Sequence, residues 1–191
     1  MRIFRWSLES AHLVRDRCRW MIPLVVTTLI APAAYGESPA RVAPEFSHSA
    51  TSEWLNAKPQ SLAALRGKPV LIEFWTFDCI NCRRTLPWIK LVQQRYATQG
   101  LVVIGVHTPE LQHEKDPTNV REAVARLGIT YPVMIDGDFS YWELMRNRYW
   151  PAFYLIDRQG RIVATTIGEL HEGQPRGDDF EQQIKRAIAA E

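Results

Sequence analysis

Two cysteines three positions apart, Cys79 and Cys82, stand where the apolar run Val70-Leu71-Ile72-Glu73-Phe74-Trp75 gives way to a segment of helical character. A helix start offers unpaired backbone N–H donors and partial positive charge, and both favour a thiolate over a thiol. Cys79 in the first turn should therefore ionise more readily than a free cysteine. Cys82, one turn later, faces the same side and can close a small disulfide with it. The third cysteine, Cys18, lies in a stretch with the character of a removable leader, and no second Cys-x-x-Cys is present to complete a four-sulfur zinc site. A fixed structural staple is the competing reading, but a staple closing so short a loop gains little chain entropy. The spacing and its strand-to-helix setting point to thiol–disulfide chemistry.

The N-terminal segment suggests where that chemistry takes place. Arg2, Arg5, Arg15, Arg17 and Arg19 precede the apolar stretch 21–30, which runs into Ala31-Pro32-Ala33-Ala34-Tyr35-Gly36. Basic, apolar and small residues in that order describe a secretory signal over 1–36, with cleavage after Ala33 or Gly36. An uncleaved tether is the alternative, and it would be the chain's only membrane contact. As a helix, residues 20–34 would reach about 22 Å, short of the ~30 Å hydrocarbon core. Removing the leader takes five arginines and two acids, lowering the formal charge from +2 to −1. The remainder has no basic patch interleaved with aromatics, so a nucleic-acid partner is not expected.

The elements that must position the cysteines follow from periodicity. Residues 37–58 form an irregular lead-in anchored by Phe46, Trp54 and Leu55, and 59–191 form one domain. Ser61–Leu65 makes a short helical turn that Gly67 ends, and Val70–Trp75 is a strand. A helix over 80–98 carries Leu86, Ile89, Val92 and Tyr96 at helical spacing. Strand 101–106, helix 119–127 and strand 133–135 come next. They are followed by a small helix at 140–146, a hairpin of strands 152–157 and 161–166, and a closing helix at 179–190. The fold class this predicts is α/β, a central mixed β-sheet flanked by helices on both faces. Trp142, Leu144, Met145 and Tyr149 read as core, and His48, His113 and His171 as solvated loop residues.

The chain resembles the thioredoxin-like superfamily, and within it the exported TlpA-like and cytochrome-maturation thiol reductases. The resemblance is carried by Ser61-Leu62-Ala63-Ala64-Leu65-Arg66-Gly67-Lys68, Phe74-Trp75, Cys79-Ile80-Asn81-Cys82 and Tyr149-Trp150-Pro151. Residues 75–87 and Gly105-Val106-His107-Thr108-Pro109-Glu110 are similar to the thioredoxin-like domains of DipZ-type proteins.

This resemblance implies that Cys79 is the attacking thiol, Cys82 the resolving thiol, and Glu73 the buried acid that relays the proton of Cys82. Pro151 resembles the family's cis-proline, and together with Trp150, Ile80 and Asn81 it would meet an extended substrate. Trp150 stands where a small or β-branched residue is frequent and should narrow that groove. Pro87 should kink the helix. Asp78, beside the nucleophile, should oppose thiolate formation, while Arg83 and Arg84 favour it.

The implied activity is that of a periplasmic thiol–disulfide oxidoreductase, a reductase acting on protein thiols and disulfides and served by a membrane-embedded electron donor. Exchange of this kind needs no bound cofactor or metal. Apocytochrome thiols are one client class by family analogy. Two alternatives stand beside it. Thr76-x-x-Cys79 echoes a thiol peroxidase motif of peroxiredoxin type, with Ile72 where that motif has Pro. A non-catalytic module binding copper or a partner is the other; His107, at the end of the second long strand, could hydrogen-bond near the cysteines or help hold a metal with them, although a histidine after a strand is usually a loop donor.

Overall fold

The strand Val70–Trp75 (β2) is buried at every position, as a run without polar alternation demands of a strand covered on both faces. The computed structural model describes residues 41–190. In it β2 lies parallel to β3 (Val102–His107), which lies parallel to β4 (Val133–Ile135). On the other side β5 (Ala152–Ile156) runs antiparallel to β2, and β6 (Ile162–Ile167) antiparallel to β5. A two-residue strand β1 (Trp54–Leu55) closes the far edge against β4, giving the order β1-β4-β3-β2-β5-β6.

Period-two alternation along β2 divides the interior. Leu71 and Trp75 face a core shared with Leu86, Ile89 and Val92 of α1 (Ile80–Tyr96), Val120 and Val124 of α2 (Pro117–Arg126), and Phe180 and Ile184 of α4 (Pro175–Ala189). Val70, Ile72 and Phe74 face the opposite core, built with Tyr141, Trp142 and Met145 of α3 (Ser140–Met145) and with Leu62 and Leu65. Helices therefore cover both faces of a mixed sheet.

Several expectations shift in detail. The lead-in is not wholly irregular, because it contributes β1. The short helical turn before β2 is present, Leu65 N–H bonding the Ser61 carbonyl at 3.2 Å and Gly67 ending it at φ +84°, while α1 tightens into a 3-10 turn at Ala97–Gln99 before Gly100 turns the chain at φ +94°. The closing helix begins at Pro175, four residues before the expected start, since proline is pre-organised for a first helical position. Trp142 and Met145 are core as expected, whereas Leu144 and Tyr149 lie exposed.

His48 is buried rather than solvated. Its Nδ1 meets Glu53 Oε1 at 2.9 Å and its Nε2 meets Asp136 Oδ1 at 3.1 Å, so the imidazole ties the lead-in to the end of β4. The leader over 1–36 lies outside the described residues, and no helix among those described is long and apolar enough to cross a membrane.

Candidate active site

β2 ends at Trp75, a loop of Thr76, Phe77 and Asp78 follows, and Cys79 is the N-cap of α1. The sulfur of Cys79 accepts the backbone N–H of Cys82 at 3.3 Å. Both cysteines are free thiols, Cys79 half-buried and Cys82 fully buried. The hydrogen bond from the Cys82 thiol lowers the pKa of Cys79 to about 7, with the backbone N–H groups of Cys82 and Asn81 acting the same way against burial and the Glu110 carboxylate. Burial, and then donation to Cys79, push the Cys82 thiol far up. One sulfur is thus reachable and ionisable near neutrality, and its partner is neither.

The charged neighbours act differently from their order in the chain. Asp78 turns its carboxylate to His113, with Nε2 and Oδ2 2.6 Å apart. Arg84 reaches toward Glu169 at 3.4 Å. Neighbouring thiol and backbone donors, rather than arginines, favour the thiolate, and the opposing acid is Glu110 rather than Asp78.

Below the pair lies Glu73. On β2 it shares the face of Leu71 and Trp75, and it is completely buried. The Tyr131 hydroxyl donates to Oε2 at 2.9 Å, while Oε1 has no partner among the described residues. Burial lifts this carboxyl to about 8, the Tyr131 bond opposing and the charge of Cys79 adding to the lift. Glu73 in turn raises the Cys82 thiol, so the two groups are within electrostatic reach.

Tyr131 was not foreseen. The one signal in its neighbourhood is Gly105, which pairs in register with Glu73. A Cβ there would meet Trp75 Nε1 at 3.0 Å and Tyr131 Cε2 at 3.1 Å, so the absence of a side chain admits both rings.

The Trp150–Pro151 peptide is cis. Pairing of Ala152 with Phe74 places Pro151 at the end of the sheet where β2 passes into the cysteine loop. Trp150 donates its indole N–H to the Thr108 carbonyl at 2.9 Å and lies 4.2 Å from the Trp142 ring. No backbone hydrogen bond among the described residues uses the Trp150 N–H or carbonyl. Ile80 and Asn81 are exposed on the first turn of α1. The structure therefore brings the seven expected residues to one end of the sheet: two sulfurs, a buried acid, and a rim of Ile80, Asn81, Trp150 and Pro151.

His107 ends β3, as its place in the sequence implies, but as a buried residue rather than a loop donor. It is wholly buried, edge-on to Trp75 and stacked on Phe77, with Nε2 3.3 Å from Thr76 Oγ1. Burial lowers its pKa to about 4, so the ring is neutral. Among the described residues, the group of three side chains with ligand atoms mutually close enough for a metal is His48, Asp136 and Asp138, remote in sequence from the cysteines.

Residues 39–184 match the Redoxin family. The chain belongs to that family. Over 119 residues this redoxin is 50% identical to Protein DipZ of Mycobacterium bovis, covering 61% of the chain and 17% of DipZ. It is 32% identical over 109 residues to the thiol-disulfide oxidoreductase YkuV of Bacillus subtilis, covering 57% of the chain and 73% of YkuV. A crystal structure of a thiol:disulfide interchange protein of the thioredoxin family from Chlorobium tepidum superposes on the redoxin with a TM-score of 0.61 at 27% identity, covering 80% of this chain and 99% of that one. The fold is thioredoxin-like, and the resemblance to DipZ-type domains holds.

Proposed function

We propose that this redoxin is a periplasmic thiol–disulfide oxidoreductase that reduces protein disulfides through Cys79 and Cys82. The observation that carries the reading is the division between a half-exposed, readily ionised Cys79 at a helix N-terminus and a buried Cys82 hydrogen-bonded to it. The Cys79 thiolate attacks one sulfur of a substrate disulfide, forming a Cys79–substrate bond and releasing the first substrate thiolate, which takes a proton from water. Forming the mixed disulfide removes the Cys79 charge that helps hold the proton on Glu73, and Glu73, once ionised, takes the proton of the Cys82 thiol as that sulfur attacks Cys79 Sγ. The mixed disulfide breaks, the second substrate sulfur leaves as a thiolate that takes a proton from water, and the redoxin holds the disulfide. Two electrons have passed from the Cys pair to the substrate.

A thiolate near neutrality supports the reductive direction. Strong oxidants stabilise it far below neutrality, whereas reductants keep it near pH 7, and Cys79 sits at about 7. The basic, apolar and small-residue leader supports export. In that compartment the oxidised pair would be returned to thiols by a membrane-embedded donor. The names of YkuV and of the Chlorobium protein support exchange chemistry. The peroxidase alternative draws less support, because the Thr76 hydroxyl donates to Glu114 and so is not offered to Cys79.

The test is disulfide reduction with insulin as substrate. Cys79→Ser abolishes it, and Cys82→Ser accumulates mixed disulfides. Full activity in both variants would overturn the proposal.

A further inference from the structure

Glu114 lies in a 3-10 turn, Gln112–Lys115, between β3 and α2, and it is buried although charged. Its two oxygens serve different segments. Oε2 accepts the backbone N–H groups of Glu110 at 2.8 Å and Leu111 at 2.7 Å, which caps its own turn. Oε1 reaches across to the cysteine loop, accepting the Thr76 hydroxyl and the Asp78 backbone N–H, the latter at 3.0 Å. A residue that only capped its turn would need the first pair alone. The second pair holds the Thr76 side chain and the Asp78 backbone, one on each side of Phe77, immediately before the nucleophile. His113 of the same turn adds its contact with Asp78.

We propose that Glu114 is a positioning residue for the thiol chemistry: its carboxylate staples the loop 76–78 to the turn 112–115 and thereby sets Cys79 over the N–H donors of α1. This rests on the reading of Cys79 as nucleophile. All three backbone partners are obligate donors, so an ionised carboxylate is required. Glutamine offers one acceptor oxygen and must turn its NH2 toward donors on one side, leaving a buried N–H unpartnered and releasing one segment.

The sign of the effect separates positioning from charge. Deleting a negative charge near a thiol favours the thiolate. Loosening the donors beneath the sulfur disfavours it. Glu110, Glu73 and the Cys82 thiol also bear on Cys79 or its partner and are unchanged in the comparison.

The experiment is the pH dependence of Cys79 alkylation by iodoacetamide in the reduced protein, which reads the sulfur without any disulfide substrate. In Glu114→Gln the midpoint moves up, and the rate at pH 7 falls roughly threefold to tenfold. Glu122→Gln, an exposed acid on α2, controls for loss of one charge and leaves the midpoint in place. A midpoint in Glu114→Gln that is unchanged or lowered overturns the proposal. Should that variant not fold, Thr76→Val removes one donor while keeping the carboxylate, and an unmoved midpoint there is equally fatal. Insulin reduction by the unsubstituted protein is scored separately, so failure of the oxidoreductase reading shows in that assay and failure of the staple in the alkylation profile.

Discussion

Replacing Glu73 by glutamine separates what the buried acid does for chemistry from what it costs the fold. In the folded protein this carboxyl titrates at about 8, against 4.5 in an ordinary setting. Between those values the folded state keeps a proton that the unfolded chain has released. Its contribution to stability is therefore complete below about pH 4.5 and is lost as pH rises toward 8. The slope is about 1.4 kcal/mol per pH unit, accumulating to roughly 3 kcal/mol at pH 7.

Glu73→Gln abolishes that slope. The new amide lacks a partner on one side, since Tyr131 serves a single oxygen, and this costs about 1–3 kcal/mol at every pH. The constant offset displaces the difference curve without tilting it. Urea unfolding of the reduced proteins from pH 5 to 8.5 gives the curve directly, and titration of His107, common to both proteins, cancels. The variant should gain on the wild type steadily up to about pH 8 and level off above it. Resolution of a preformed mixed disulfide should meanwhile slow by about a hundredfold or more, the usual scale of a lost acid–base group. A stability difference that is flat from pH 5 to 8 would show that the carboxyl does not retain its proton on burial, and would refute the reasoning.

Other perturbations reach neighbouring parts of the site. Cys79 in the wild type should be alkylated with a midpoint near pH 7 while Cys82 stays unmodified in the native state, as mass spectrometry of the labelled peptides would show. Gly105→Ala forces a Cβ against the Trp75 and Tyr131 rings and should destabilise the protein by about 1–3 kcal/mol in thermal unfolding. Trp150→Ala removes the indole bond to Thr108 and the packing on Trp142. It should cost about 1–2 kcal/mol of stability and raise KM for peptide disulfides more than it lowers kcat. His107 should show no imidazole titration by NMR between pH 5 and 8, because its pKa lies near 4.

The strands that carry the site were legible because burial on both faces leaves an unmistakable mark. Val70–Trp75 and Val133–Ile135 have the bounds their apolar runs imply. Cys79, Cys82, Glu73 and Pro151 were legible through local spacing together with the family's motif. Tyr131 and Glu114 were not, since what gives them meaning is a partner 58 residues away in one case and 36 to 38 away in the other. Nothing in the local pattern around either residue names that partner.

Adjacency misled for Asp78, whose side chain leaves the nucleophile for His113. Polarity misled for His48, which the lead-in carries into a pocket of carboxylates. Leu144 and Tyr149 misled in the other direction. Their apolar character suggested core, yet both stand exposed, Tyr149 two residues before the cis proline.

The inaccessibility of Cys82 also bears on survival under oxidative exposure. A peroxide molecule arriving from outside meets the sulfur of Cys79 first and leaves it as a sulfenic acid, one step from lesions that cannot be undone. The sheltered thiol one turn away condenses with that acid, expelling water and closing the same disulfide that turnover produces. Damage is thereby converted into an ordinary intermediate of the cycle, and whatever recharges the protein repairs it as well.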